Sequence, residues 1–286
     1  MTTLPTTAFG LGPLPGTDLA QAADVVLSES PLPHVPQLPD RGAGSDLIGR
    51  TAALLEIPIA PGPRGWRVAA RKRADADRMA RDLDHLEALW HGKTDAVKVQ
   101  LAGPFTLAAE VEMPNGHRMI TDPGALRDIT DALLQASADH VRDIETRFGA
   151  TVLQLDEPRL GDVMAGTLKG ATDYETIAAI PEPQETLHRF GEHLLHTPML
   201  IDDTPWQTTD PRTCNRDALA RLLDTGARIA IPTMQPRELY RVFDELQIDP
   251  AQTQIDVYAE PADTLLACAR NYAAAREMHE ELASQQ

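Results

Sequence analysis

A parallel α/β barrel is the fold this sequence predicts, and three observations carry the prediction. Strand-like and helical stretches alternate along most of the chain, which selects βαβ units and a parallel sheet. The stretch Thr151-Val-Leu-Gln-Leu-Asp-Glu-Pro158 alternates apolar and polar residues with the period of a strand, and Pro158, which has no N–H for a ladder, ends it. Asp156 and Glu157 are thereby left at a strand's carboxyl end, where parallel α/β folds build ligand sites. Finally, 286 residues is the usual size of one such barrel, so a single domain over residues 1–286 is expected.

In chain order, a short strand near Phe9 opens into a Gly/Pro turn, and Thr17 or Asp18 caps a helix running to about Leu27. Residues 30–65 are rich in Pro and Gly, with His34-Val-Pro-Gln-Leu38 strand-like and 47–55 a short helix; so long a loop in a compact domain suits an active-site wall. Met79, Leu83, Leu86 and Trp90 fall at helical spacing within an amphipathic helix over 74–90. The next strand places Val97, Val99 and Leu101 on one face and Lys98 and Gln100 on the other. A long helix over 124–147 separates it from the Asp156 strand, which makes a right-handed parallel crossover.

Helices are then expected at 173–179 and 183–195, followed by a strand Met199-Leu-Ile-Asp-Asp203. A helix over 216–224 stops at Gly226, and the strand at 228–232, a helix at 236–247, a strand at 254–259 and a final helix at 261–282 complete the chain. That is seven strands, whereas a closed (β/α)8 TIM barrel needs eight. Either one strand escapes the pattern or the barrel is one βα unit short.

The formal net charge of −17 repels phosphate backbones and anionic lipid, so neither nucleic acid nor a membrane surface is an expected partner. The two cysteines, Cys214 and Cys268, are far apart and in no metal-like spacing, which fits a reducing cytoplasm. No apolar run approaches the roughly 18 residues of a membrane span, and the first 20 residues lack a basic start followed by an apolar block.

If the sheet curls into a barrel, its apolar alternates face the outer helices, so Lys98, Gln100, Gln154 and Asp156 point inward. Asp156, Glu157, Gln154 and Gln100 are therefore the candidate ligand-binding residues, against the plainer reading that the two carboxylates cap a loop or pair with an arginine. The basic run Arg64, Arg67, Arg71, Lys72 and Arg73 offers an anion site, or a solvated face. His188, His193 and His196 lie near the end of one expected helix, where placement at the surface or at its C-terminal dipole is preferred over a metal pair of His193 and His196 at i, i+3.

Several stretches together resemble one family. Gly10-Leu-Gly-Pro-Leu-Pro-Gly-Thr17, Pro33-His-Val-Pro-Gln-Leu-Pro39, Ile48-Gly-Arg50, Gly65-Trp-Arg67, Val97-Lys-Val-Gln-Leu-Ala-Gly-Pro104 and Leu153-Gln-Leu-Asp-Glu-Pro158 are similar, in order and spacing, to the catalytic C-terminal barrel of cobalamin-independent methionine synthase, particularly its short single-barrel bacterial relatives. The likeness covers roughly residues 1–160, with Ala230-Ile-Pro-Thr233 and the closing helix beyond.

The resemblance implies methyl transfer from methyltetrahydrofolate to homocysteine, with zinc holding the sulfur as thiolate. Asp156 matches the aspartate that takes the substrate amino group, and the Arg64–Arg73 run would hold a folate tail. The family's zinc ligands are a His-x-Cys after the fifth strand, a Glu on the sixth and a Cys after the eighth. Here the corresponding stretches are Ile201-Asp-Asp203 and Ala259-Glu-Pro261, the span 203–228 looks too short for a sixth strand, and Pro13 replaces a serine that would hold the substrate carboxylate. No cofactor is expected, and zinc only if ligands are rebuilt from Asp202, Asp203, Glu260 or His196. The alternative is a non-catalytic small-molecule binder, or a homo- or hetero-oligomeric subunit that pairs with an active relative.

Overall fold

Seven parallel strands make one curled, barrel-like sheet with helices against its outer face. The computed structural model describes residues 4–71, 77–170, 172 and 174–284. The chain begins with β1 (Ala8–Gly10), α1 (Leu19–Glu29) and α2 (Leu47–Leu54). The hairpin β2 (Ile59–Gly62) and β3 (Gly65–Val68) leads to α3 (Arg78–Trp90), β4 (Ala96–Ala102), α4 (Pro104–Glu110) and β5 (Val111–Glu112). Next come α5 (Pro123–Phe148), β6 (Ala150–Asp156), α6 (Leu160–Ala165), α7 (Gln184–His188), β7 (Leu194–His196) and β8 (Trp206–Thr208). The chain closes with α8 (Arg216–Asp224), β9 (Arg228–Pro232), α9 (Pro236–Leu246), β10 (Ile255–Ala259) and α10 (Leu265–Ala283).

The main ladder runs β1-β10-β9-β8-β7-β6-β4, and β2, β3 and β5 form a small separate sheet. Between β1 and β4 lies the segment 32–37, which joins no ladder but bonds to both sides. Leu32 N donates to Ala8 O (3.2 Å) and Gln37 N to Gly12 O (3.0 Å), while Lys98 N donates to Pro33 O (2.8 Å) and Val35 N to Lys98 O (3.0 Å). Pro33 and Pro36 withhold the donors that a regular strand needs.

Alternation along β4 and β6 sorts the interior as expected. Val97, Val99, Leu101, Leu153 and Leu155 join the large core shared with the helices, whereas Phe9, Leu11, Leu32, Val152, Leu194, Trp206, Ala230 and Tyr258 form a second apolar group on the inside of the curl. The helices start where capping predicts: Asp18 accepts from Ala20 N and Gln21 N, and Asp122 from Ala125 N. No helix among the described residues is long and apolar enough to cross a membrane.

Several expectations are corrected. The strand expected at 199–203 does not form, because Pro198 interrupts pairing, Met199 is solvent-facing and Asp203 adopts φ 59°. The helix expected over 183–195 stops at His188, and Leu194 and Leu195 are instead buried in β7; long-range strand pairing overrides local helical spacing. The span 203–228, expected to be too short for a strand, holds β8 and α8, so 197–205 links two parallel strands without a helix. Of the helix expected at 173–179, Asp173 lies outside the described residues and 174–179 are not helical. Residues 74–76 of the expected α3, and Lys72 and Arg73 of the basic run, also lie outside the described residues.

Candidate functional site

The inner face of β4 and β6 carries a connected polar group. Lys98 Nζ donates to Gln154 Oε1 (2.5 Å), and Gln154 Nε2 donates to Leu11 O (2.9 Å) and to Asp156 Oδ1 (2.6 Å). Gln100, in the amide orientation that matches donors to acceptors, reaches Val35 O and Lys98 Nζ at 3.0 Å each. The ammonium also faces the Phe9 ring at 5.4 Å. The Gln154 amide thus aligns its dipole between a cation and a carboxylate. Burial pulls Lys98 down, which Asp156 opposes, and burial pushes Asp156 up, which Gln154 and Lys98 oppose. Gly12, at φ 128°, lets the chain pass directly over Gln100, since a Cβ there would lie 3.0 Å from the amide carbon.

Asp156 ends β6 at 6% exposure, and its Oδ2 bonds to no described side chain or backbone group. Its neighbour Glu157 points elsewhere. Both Glu157 oxygens accept from the start of α4, at Phe105 N (2.9 Å) and Thr106 N (2.7 Å), which makes it the buried anion of a helix N-terminus. Burial pushes Glu157 up to about 7 against those donors. Gln154 and Gln100 are fully enclosed structural members of the Lys98 network, leaving Asp156, at the strand's end, as its member with an unbonded oxygen.

Beside Asp156 stands His196, its register partner on β7, which the sequence pattern places near the end of a helix. His196 Nδ1 lies 2.9 Å from Thr208 Oγ1 on β8, its ring meets Tyr258 edge-on at 6.4 Å, and its Nε2 bonds to no described residue. Burial, aided by Lys98, lowers His196 to about 4, so the ring is neutral near pH 7. A cleft of about 490 Å³ opens next to it, at the ends of β7 and β8 and the start of α8. The missed strands β7 and β8 are what hide this half of the mouth in the sequence. His193 is parted from His196 by the length of β7, with Nδ1 on Gly191 O (2.8 Å), so the two do not form a pair.

The zinc set implied by the resemblance does not fit these residues. With β7 as the fifth strand position, only His196 supplies a nitrogen ligand, followed by Thr197-Pro198, while Thr208 ends β8 and Ala259 ends β10. Nor do the rebuilt alternatives assemble: Asp202 is held by Arg221, Asp203 lies beside His188, and no three His, Cys, Asp or Glu side chains among the described residues are grouped to hold a metal. In the basic run, Arg64 is engaged by Glu112 and Gly116 O, Arg67 lies on β3 and Arg71 is exposed.

On the far side of β1, His34 is fully buried with Nε2 2.9 Å from Tyr272 OH, and burial, with Lys98 and Arg50, lowers it to about 3. In the unfolded chain the ring takes a proton near 6.5, while the folded chain refuses it until about 3. Stability tied to neutral His34 is complete above pH 6.5 and lost as the pH falls toward 3. His34→Gln is expected to flatten the stability–pH slope by about 1.4 kcal/mol per pH unit across the middle of that range, read from urea midpoints. Parallel curves for the two proteins would refute this.

No protein-family model matches the chain, and no curated protein matches it.

Proposed function

We propose that the chain is a divergent barrel of the cobalamin-independent methionine synthase type that binds a free amino acid at the carboxyl ends of its strands, without zinc-activated thiol chemistry. In this reading the segment 32–37 acts as the second strand position and completes an eight-position (β/α)8 barrel, supported by its bonds to β1 and β4. The observation that carries the proposal is Asp156: a carboxylate at a strand's end, anchored through one oxygen by Gln154 and open through the other, suited to an ammonium group. Methyl transfer from methyltetrahydrofolate to homocysteine is the nominal activity of the resemblance, and the lack of a fitting zinc set favours binding over that reaction.

Calorimetry with homocysteine and methionine tests the pocket. Millimolar or tighter binding is expected, with Asp156→Ala weakening it at least about tenfold, since a charge-assisted bond is worth roughly 1.5–3 kcal/mol. Equal affinity in the variant would remove Asp156 from the site.

A further inference from the structure

We propose that the cleft at the ends of β7 and β8 takes the side chain of the bound amino acid and selects one that ends in a neutral hydroxyl or amide. This rests on the reading that Asp156 holds the ligand's ammonium. Asp156 and Thr208 lie two strands apart, roughly 10 Å between backbones, a span that an amino acid with a three- or four-atom side chain crosses.

The cleft combines hydrogen-bonding groups without net charge with an apolar part formed by Pro198, Met199, Leu200 and Ala218. Thr197, Thr208, Thr209 and Asn215 line it with hydroxyls and an amide, of which the Thr208 hydroxyl already meets His196 Nδ1 and the Asn215 oxygen caps α8, and the two ionised groups at its edge, Asp217 and Arg221, are opposite in sign, with Arg221 already on Asp202 at 3.2 Å. Thr197 is only 6% exposed and its hydroxyl has no partner, an arrangement that is destabilising unless another polar group reaches it. His196, on the strand between Asp156 and Thr208, lies on the path from Asp156 to the cleft, and its Nε2, which no described residue bonds, accepts from an O–H or N–H group in the tautomer that carries the proton on Nδ1. Among the described residues a thiolate or carboxylate side chain would find no free cation beside Asp156, because the Lys98 ammonium is held by Gln100, Gln154 and the Phe9 face. An apolar side chain would leave the Thr197 hydroxyl unpaired.

L-Glutamine and L-methionine are close in length and volume, so they separate hydrogen bonding from size. Calorimetry on the full chain is expected to give glutamine or L-homoserine an affinity at least about tenfold above that of methionine, and Thr208→Val to shrink that ratio severalfold. Thr197→Val provides a second variant should Thr208→Val fail to fold. Methionine binding as tightly as both polar amino acids, or a ratio unchanged in the folded variants, overturns the selectivity and leaves the Asp156 reading standing. No binding of any of the three at millimolar concentration overturns both.

Discussion

Replacing Asp256 by alanine is expected to destabilise the protein by about 3–5 kcal/mol, the range for removing one member of a buried ion pair. Asp256 is wholly buried near the amino-terminal end of β10. Its oxygens accept from Arg228 Nε (2.7 Å) and Nη2 (2.6 Å), from Trp206 Nε1 (2.9 Å) and from Thr7 N (2.8 Å). Arg228 in turn binds Leu4 O and Pro5 O and stacks over the Trp206 ring at 4.2 Å. One carboxylate therefore ties together β8, β9, β10 and the entry to β1. Without it, a buried guanidinium and an indole N–H lose their acceptor, which costs more than the pair itself contributes. Denaturant unfolding followed by circular dichroism checks the size of the loss. A loss under about 1 kcal/mol would show that water reaches the guanidinium, and the double change Asp256→Leu with Arg228→Met should recover part of the loss.

Gly103→Ala should be nearly as damaging, at about 2–4 kcal/mol, although it adds one methyl group to a turn. A Cβ on Gly103 would stand 2.3 Å from Glu157 Oε1 and 2.5 Å from its carboxyl carbon. Glu157 is fully buried and holds the first N–H groups of α4, so the clash is relieved only by pulling an anion off its donors. Urea titration measures the loss, and Gly103→Ala combined with Glu157→Ala should cost less than the sum of the two single changes, because one contact is at stake. Strict additivity would mean that the methyl group is accommodated some other way.

Much of the α/β architecture was legible in the chain. Period-two alternation in 95–102 and 151–156 assigned both strands and their inward faces, and the helices α5, α8 and α10 followed from spacing and caps. Such elements are long enough for their own pattern to declare them. Asp156 was legible for the same reason, since a carboxylate just before a strand-ending proline announces its position.

What stayed hidden was short or paired over distance. β7 and β8 have three residues each, too few to show a period, and Leu194 and Leu195 fit a helix until β6 and β8 claim them. With those strands went His196, Thr208 and the cleft. The separation of Asp156 from Glu157 was equally beyond reach, because adjacent residues at a strand's end point to opposite sides, and only the placement of α4 shows which side holds waiting N–H donors. The sequence by itself determined the parallel α/β plan, its longer strands and helices, and the carboxylate at the mouth. The tertiary structure alone decided which polar groups are consumed within the fold and which remain free, since burial and hydrogen-bond satisfaction depend on residues brought together from far along the chain.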